Sequence, residues 1–144
     1  MKYFFFLVFL TACFESGNSP ESALKEFIEV RLEKNVGRSD ILDKLTGKMR
    51  ISIESMDDED YQKFSDLRQY KRESFRIISK SCQEKRCYVT YALSYRTAPE
   101  NKATWTSEVK KIVELHWVEG KWLIADVSNI KTYHESVQTI EVTP

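Results

Sequence analysis

Residues 108–130 read EVKKIVELHWVEGKWLIADVSNI, and how this stretch pairs with itself decides the fold. On either side of Glu119-Gly120 the apolar residues recur at every second position, the period of a half-buried β-strand. Two runs joined by so short a turn are antiparallel neighbours. Their register depends on which residue takes left-handed backbone. A two-residue type I′ turn needs positive φ at both Glu119 and Gly120, and Glu is a poor residue there. A type I turn over Val118-Glu119, with Gly120 as a left-handed bulge, asks this only of the glycine. The bulged register is therefore expected. It places Val113, Leu115 and Trp117 on one face with Leu123, Ala125 and Val127. The opposite face then carries Ile112, Glu114, His116, Trp122, Ile124 and Asp126.

Working outward, two earlier runs also read as strands, so the set is Phe75–Lys80, Cys87–Arg96, Glu108–Val118 and Lys121–Ile130. Each is rich in Val, Ile, Tyr, Trp or Thr, which suit a pleated surface. Their connections are polar and short enough to predict a four-stranded antiparallel meander. Upstream the period changes to that of helices. Ser19-Pro20-Glu21 is a helix start, with a capping hydroxyl, a proline at the first helical position and an acid at the positive dipole end. Leu24, Phe27, Ile28, Arg31 and Leu32 then lie on one stripe, apolar except for Arg31. A second helix is expected from Ser39 or Asp40 to Gly47. Lys48 to Met56 reads either way, because Ile51 and Ile53 alternate between helical signals. A further helix is expected from about Met56 to Arg72, capped by Ser55, with acids crowding its first turn and bases its last. That acidic run lacks the alternating spacing and glycine of a calcium loop.

The amino terminus has a different character. Lys2 is followed by the apolar run Tyr3 to Leu10 and then Thr11-Ala12-Cys13, the layout of a secretory signal peptide, too short for a comfortable membrane span of about 20 residues. Leu10-Thr11-Ala12-Cys13 resembles the lipobox of bacterial lipoproteins. The resemblance implies a signal peptide over residues 1–12 and cleavage before an acylated Cys13. Residues 13–19 become the lipidated cysteine and its tether, and anchoring to the membrane is through several acyl chains. Phe14 in place of Asp resembles the sorting pattern of the outer membrane of a Gram-negative cell, with the domain facing the periplasm.

Composition narrows the remainder. With 144 residues, 42% hydrophobic content and 22 basic against 22 acidic residues, the chain is one domain plus its N-terminal segment, with no global field for nucleic acid. The order of elements, two or three helices followed by a curved antiparallel meander, resembles the cone-shaped α+β fold of the nuclear transport factor 2-like superfamily over about residues 20–131. Glu119-Gly120-Lys121-Trp122-Leu123-Ile124 is similar to a strand found in many small secreted members. Residues 132–144 read as a tail or an extra edge strand. The superfamily includes isomerases, dehydratases, pocket-only binding proteins and dimerisation modules, so the resemblance does not choose a function.

Cys82 and Cys87 flank a short connection between two strands, and in an exported protein such a pair predicts a disulfide. No cofactor motif is present, and nothing in the spacing brings His116 and His134 to the cysteines as a metal site. His116 with Asp126, on the mixed sheet face, is the pair to which acid–base chemistry could fall, with Tyr91 and Tyr95 as pocket donors. The first functional reading is a lipid-anchored periplasmic domain binding an envelope partner or small ligand without catalysis. Its alternatives are a small pocket enzyme using His116 and Asp126, or an assembly protein that homodimerises across the face of Ile112, Glu114, Trp122 and Ile124.

Overall fold

A computed structural model describes residues 18–33, 36–97 and 104–136. The lipobox, Cys13 and the last eight residues lie outside them. The described chain forms α1 (Pro20–Leu32), α2 (Arg38–Leu42), α3 (Gly47–Glu54) and α4 (Asp58–Ser65). Then follow β1 (Tyr70–Gln83), β2 (Arg86–Thr97), β3 (Trp105–Val118) and β4 (Lys121–Ser136). The strands form one antiparallel sheet in the order β1-β2-β3-β4, as the alternation predicts. Four helices precede it among the described residues, rather than two or three.

The start of α1 follows its cap residues. Ser19 Oγ accepts the amide of Ser22 at 3.1 Å, and Ser22 Oγ accepts that of Ser19 at 2.9 Å. The stripe behind the cap buries Leu24, Phe27 and Ile28 against the sheet. Glu21 pairs with Lys80, and Glu29 lies 4.0 Å from Arg72, so α1 runs antiparallel to β1. The ambiguous segment after Gly47 is helical. Two residues apart on a helix point to nearly opposite sides, and Ile53 is 1% exposed whereas Ile51 is 67% exposed. The next helix is shorter than expected and starts later. Its cap is Asp57, whose Oδ1 accepts the amide of Asp60 at 2.8 Å, not Ser55. None of its residues is fully buried, Tyr61 and Phe64 reaching the core only in part, and from Tyr70 the chain pairs with β2 instead.

The last hairpin differs from its expected register. Glu119 (φ 49°) and Gly120 (φ 85°) both take left-handed backbone, and Trp117 pairs with Trp122 across a two-residue turn. The twist of that turn matches the strands it joins, which outweighs the strain of a left-handed Glu. Ala125 then bulges out of β4, so Leu115 faces Ile124 while Glu114 faces Asp126. Trp122 and Ile124 are thereby on the helix-covered face rather than with His116. Leu123, directly opposite His116, takes the place they were expected to hold. His116 and Asp126 nevertheless share a face, because the bulge restores the alternation beyond it.

The core sits between α1, α2, α3 and the odd-numbered face of β2 and β3, where Cys87, Val89, Val113 and Leu115 meet Leu24, Ile41, Leu45, Ile53 and Ile124. Leu45 also bridges to Ile124. The Thr46 amide donates to the Ile124 carbonyl at 2.8 Å, and the Ile124 amide donates to that of Lys44 at 2.9 Å. This short contact covers part of the β4 edge. At the same end of the sheet Cys82 and Cys87 stand directly opposite each other and are joined by a disulfide.

Candidate functional site

The aliphatic core fills one end of the space between helices and sheet. The other end, toward the β2–β3 connection, holds a cleft of about 410 Å³. Its walls are largely apolar. Phe27, Ile28 and Leu32 come from α1, Met49 from α3, Phe64 and Leu67 from α4 and its exit, and Leu93, Val109 and Val127 from the sheet. Tyr70 and Tyr95, whose rings meet edge to face at 5.0 Å, line the same end. A volume of this size lies within the roughly 300–1,000 Å³ range of small-molecule sites.

Two cations project into this apolar cleft. Arg31 follows from the stripe of α1: four residues after Phe27, it must point where Phe27 points. Lys111 follows from the alternation of β3, sharing a face with Val109, Val113 and Leu115, and it pairs with Tyr91 on β2. The Arg31 guanidinium stacks on the Phe64 ring, 3.6 Å from its centroid, and its Nη1 donates to the Phe64 carbonyl at 3.0 Å. That contact uses one of its five N–H groups. Among the described residues neither Arg31 nor Lys111 has a carboxylate within ion-pair distance, and no carboxylate lines the cleft. Glu29 of α1 lies 4.0 Å from Arg72, and Glu108, on the other face of β3, lies 3.6 Å from Arg76.

The electrostatics follow from this isolation. Burial pulls the Arg31 guanidinium down to about 10, and burial together with the Arg31 charge lowers the Lys111 ammonium. Burial pushes the Tyr91 phenol up to about 12, so it stays protonated and able to donate. The arrangement is a largely apolar cleft lined by two cations and a protonated tyrosine hydroxyl. The sequence marks Arg31 as the exception in its apolar stripe but gives it no role, and Lys111 interrupts the inward face of β3 without any such mark.

The pair His116 and Asp126 lies on the sheet face away from the cleft. His116 Nε2 is 2.7 Å from Glu114 Oε1, and Arg86 Nε is 3.3 Å from the same oxygen. Asp126 stands opposite Glu114, accepts its neighbour's amide from Val127 at 2.9 Å and lies 3.9 Å from Lys48. The hydrogen bond from His116, ahead of the charges of His116, Arg86 and Lys48, holds the Glu114 carboxyl below its ordinary value. Ile112 shares this face; Trp122 and Ile124 do not. The expected face of six residues is thus reduced to Ile112, Glu114, His116 and Asp126, with Leu123 added.

A serine–histidine contact also appears. Ser107, 3% exposed, has its Oγ 2.7 Å from His134 Nδ1. No carboxylate orients the imidazole from its other side among the described residues, and Ser107 does not line the cleft. The contact satisfies a buried hydroxyl and lacks the third group of a catalytic relay. Among the described residues no three His, Cys, Asp or Glu side chains converge as a metal site, and no helix is long and apolar enough to cross a membrane.

No protein-family model matches the chain, and no curated protein matches it in sequence. Among solved structures it is similar to a SEC-C motif-containing protein from Rhodopseudomonas palustris. The TM-score is 0.59 at 12% identity, over 78% of this chain and 80% of that one. It is also similar to the intermembrane space region of the chloroplast protein ARC6, with a TM-score of 0.57 at 16% identity, over 76% of this chain and 92% of that one. At these identities the likeness is one of fold. The chain is an α+β domain in which helices pack on an open four-stranded antiparallel sheet.

Proposed function

We propose that this protein is a lipid-anchored envelope domain that holds a small ligand between its helices and its sheet, binding it without chemical change. The observation that carries the reading is the 410 Å³, largely apolar cleft at one end of the space between helices and sheet. A core packed throughout would have closed it at a gain in stability. Its finer fold assignment is the cone-shaped architecture of the nuclear transport factor 2-like superfamily, supported by the order of helices and meander. Acylation at Cys13, with the domain in the periplasm at the outer membrane, rests on Leu10-Thr11-Ala12-Cys13 and Phe14. The Cys82–Cys87 disulfide agrees with an oxidising compartment. A pocket enzyme built on His116 and Asp126 is the weaker reading, because both residues lie outside the cleft lining.

Two measurements test the proposal. Cys13→Ser should leave an unprocessed, mislocalised precursor, and a variant that fractionates with the membrane at the mature mass refutes the anchor. Native mass spectrometry of protein released gently from the envelope should show a bound small molecule that Val109→Phe and Leu93→Phe, which fill the cleft, remove. Equal adducts in all three proteins would place the bound molecule elsewhere.

A further inference from the structure

We infer that the cleft takes an organic anion: one carboxylate or phosphate head carried on a single apolar chain or ring, with the head between Arg31 and Lys111. This rests on the ligand-binding reading above and adds the chemical class of the ligand.

A cation in an apolar wall is costly unless something negative or strongly accepting meets it. Two of them project into this cleft, and among the described residues no carboxylate answers either one. The two sit on different elements, the fourth turn of α1 and the middle of β3, so their meeting is made by the packing and not by one local motif. Arg31 is held in place from one side, stacked on Phe64 and bonded to its carbonyl. Its remaining donors form the fork that suits a carboxylate or phosphate. Lys111 supplies a second, flexible ammonium, and Tyr91 a hydroxyl donor. Around them the walls are largely apolar, from residues such as Phe27, Leu93 and Val109, with Tyr70 and Tyr95 at one end. A cationic ligand would be repelled, and a neutral one would leave both charges unanswered. The cleft lies near the lower end of the usual size range, which favours one chain or ring over a two-chain lipid.

The test uses the full-length lipoprotein in phosphatidylcholine nanodiscs, titrated calorimetrically with sodium octanoate, octyl phosphate, 1-octanol and octylamine. The heats of protein-free nanodiscs are subtracted. Octanoate or octyl phosphate should bind at least about tenfold more tightly than octanol, the change expected from one added charge-assisted contact. Octylamine should bind more weakly than octanol. Acetate and inorganic phosphate, heads without a body, should bind at least tenfold more weakly than their octyl counterparts. Lys111→Gln and Arg31→Gln should each bring the anions to within about threefold of octanol, and Lys111→Gln keeps the test open if loss of Arg31 loosens α4. Val109→Phe should remove binding of every octyl ligand. If octanol and the anions bind equally and Val109→Phe removes both, the ligand-binding reading stands and the anion assignment is overturned. An anion preference that survives both glutamine variants also overturns it. If no octyl ligand gives a heat that Val109→Phe removes, the ligand-binding reading itself fails.

Discussion

Lys111→Met separates a site built for a ligand from one built for stability. Methionine keeps the length and most of the volume of the lysine stem but removes the ammonium, so the side chain can follow the same path between Tyr91, Val109 and Val127. In the ligand-free domain the lysine carries a partly desolvated charge that no described carboxylate answers, with the Arg31 charge acting against it. Replacing buried ions by apolar residues of similar volume is often neutral or stabilising by about 1–4 kcal/mol. Lys111 is only partly buried and its stem can lift the ammonium toward water, so the lower part of that range applies, about 1–2 kcal/mol. For a domain of this size that is a rise in Tm of roughly 3–8 °C. The assay is urea and thermal unfolding of wild type, Lys111→Met and Lys111→Gln side by side. The methionine variant should be the most stable and should no longer prefer octanoate over octanol. Loss of 1 kcal/mol or more in Lys111→Met would refute the reasoning, because the ammonium would then be making favourable contacts in the folded protein.

Three further outcomes follow from the sheet. Trp122 packs against the core from β4 while Trp117 lies at the hairpin end, their rings meeting edge to face at 5.4 Å. Trp122→Ala should therefore cost about 2–3 kcal/mol and Trp117→Ala about 1 kcal/mol, less than full burial would cost, by denaturant melts; the reverse order would contradict the packing of Trp122, rather than Trp117, against the core. Replacing both Cys82 and Cys87 by Ser should lower stability by about 2 kcal/mol, the chain-entropy value for so short a loop, without unfolding the domain; a molten, unfolded variant on circular dichroism would show that the bond organises the core. Because the Glu114 carboxyl is held below its ordinary value in the folded state, it adds stability above the unfolded carboxylate range. That contribution is lost as pH falls through the depressed value. Urea midpoints of Glu114→Gln should accordingly fall less between pH 7 and pH 3 than those of wild type, and identical slopes would show that the contact with His116 carries no proton linkage.

Much of the architecture was legible because it rests on local chemistry repeated over many residues. The Ser19-Pro20 cap, the α1 stripe of Leu24, Phe27 and Ile28, the alternation of β2 and β3, and the opposed cysteines each name their own structure. What was missed depends on partners distant in sequence. The expected cap at Ser55 lost to Asp57, and the expected helix to Arg72 ended early. Its apolar residues, Tyr61 and Phe64, are only partly buried, and β2 offers pairing from Tyr70 onward. The expected hairpin register rests on the dislike of Glu for left-handed backbone, about 1–2 kcal/mol. That local term is outweighed by the match of the turn's twist to its strands together with burial of Ile124 and Trp122 beside Leu115, which the Ala125 bulge makes compatible with Val127 facing Val113. A single-residue penalty can be read from sequence; the gain that overrides it belongs to the folded sheet.

The same distinction explains why the strongest site was hidden. Arg31 and Lys111 were each visible as a cation in an apolar pattern, and each alone is ordinary, because long basic side chains often reach past a core to water. The inference changes when packing brings α1 over the middle of β3 and directs both into one cleft. Two independent exceptions at the same place, neither answered by a described carboxylate, are difficult to attribute to surface chemistry. The paired groups that sequence did bring together, His116 with Asp126, fall on the uncovered face, where Glu114, Arg86 and Lys48 neutralise one another in a solvent-facing network. Charges that have partners stabilise or merely decorate a sheet. Charges left without carboxylate partners inside a cleft are the ground for proposing a partner from outside the chain, and the proposed ligand would sit on the helix side of the sheet.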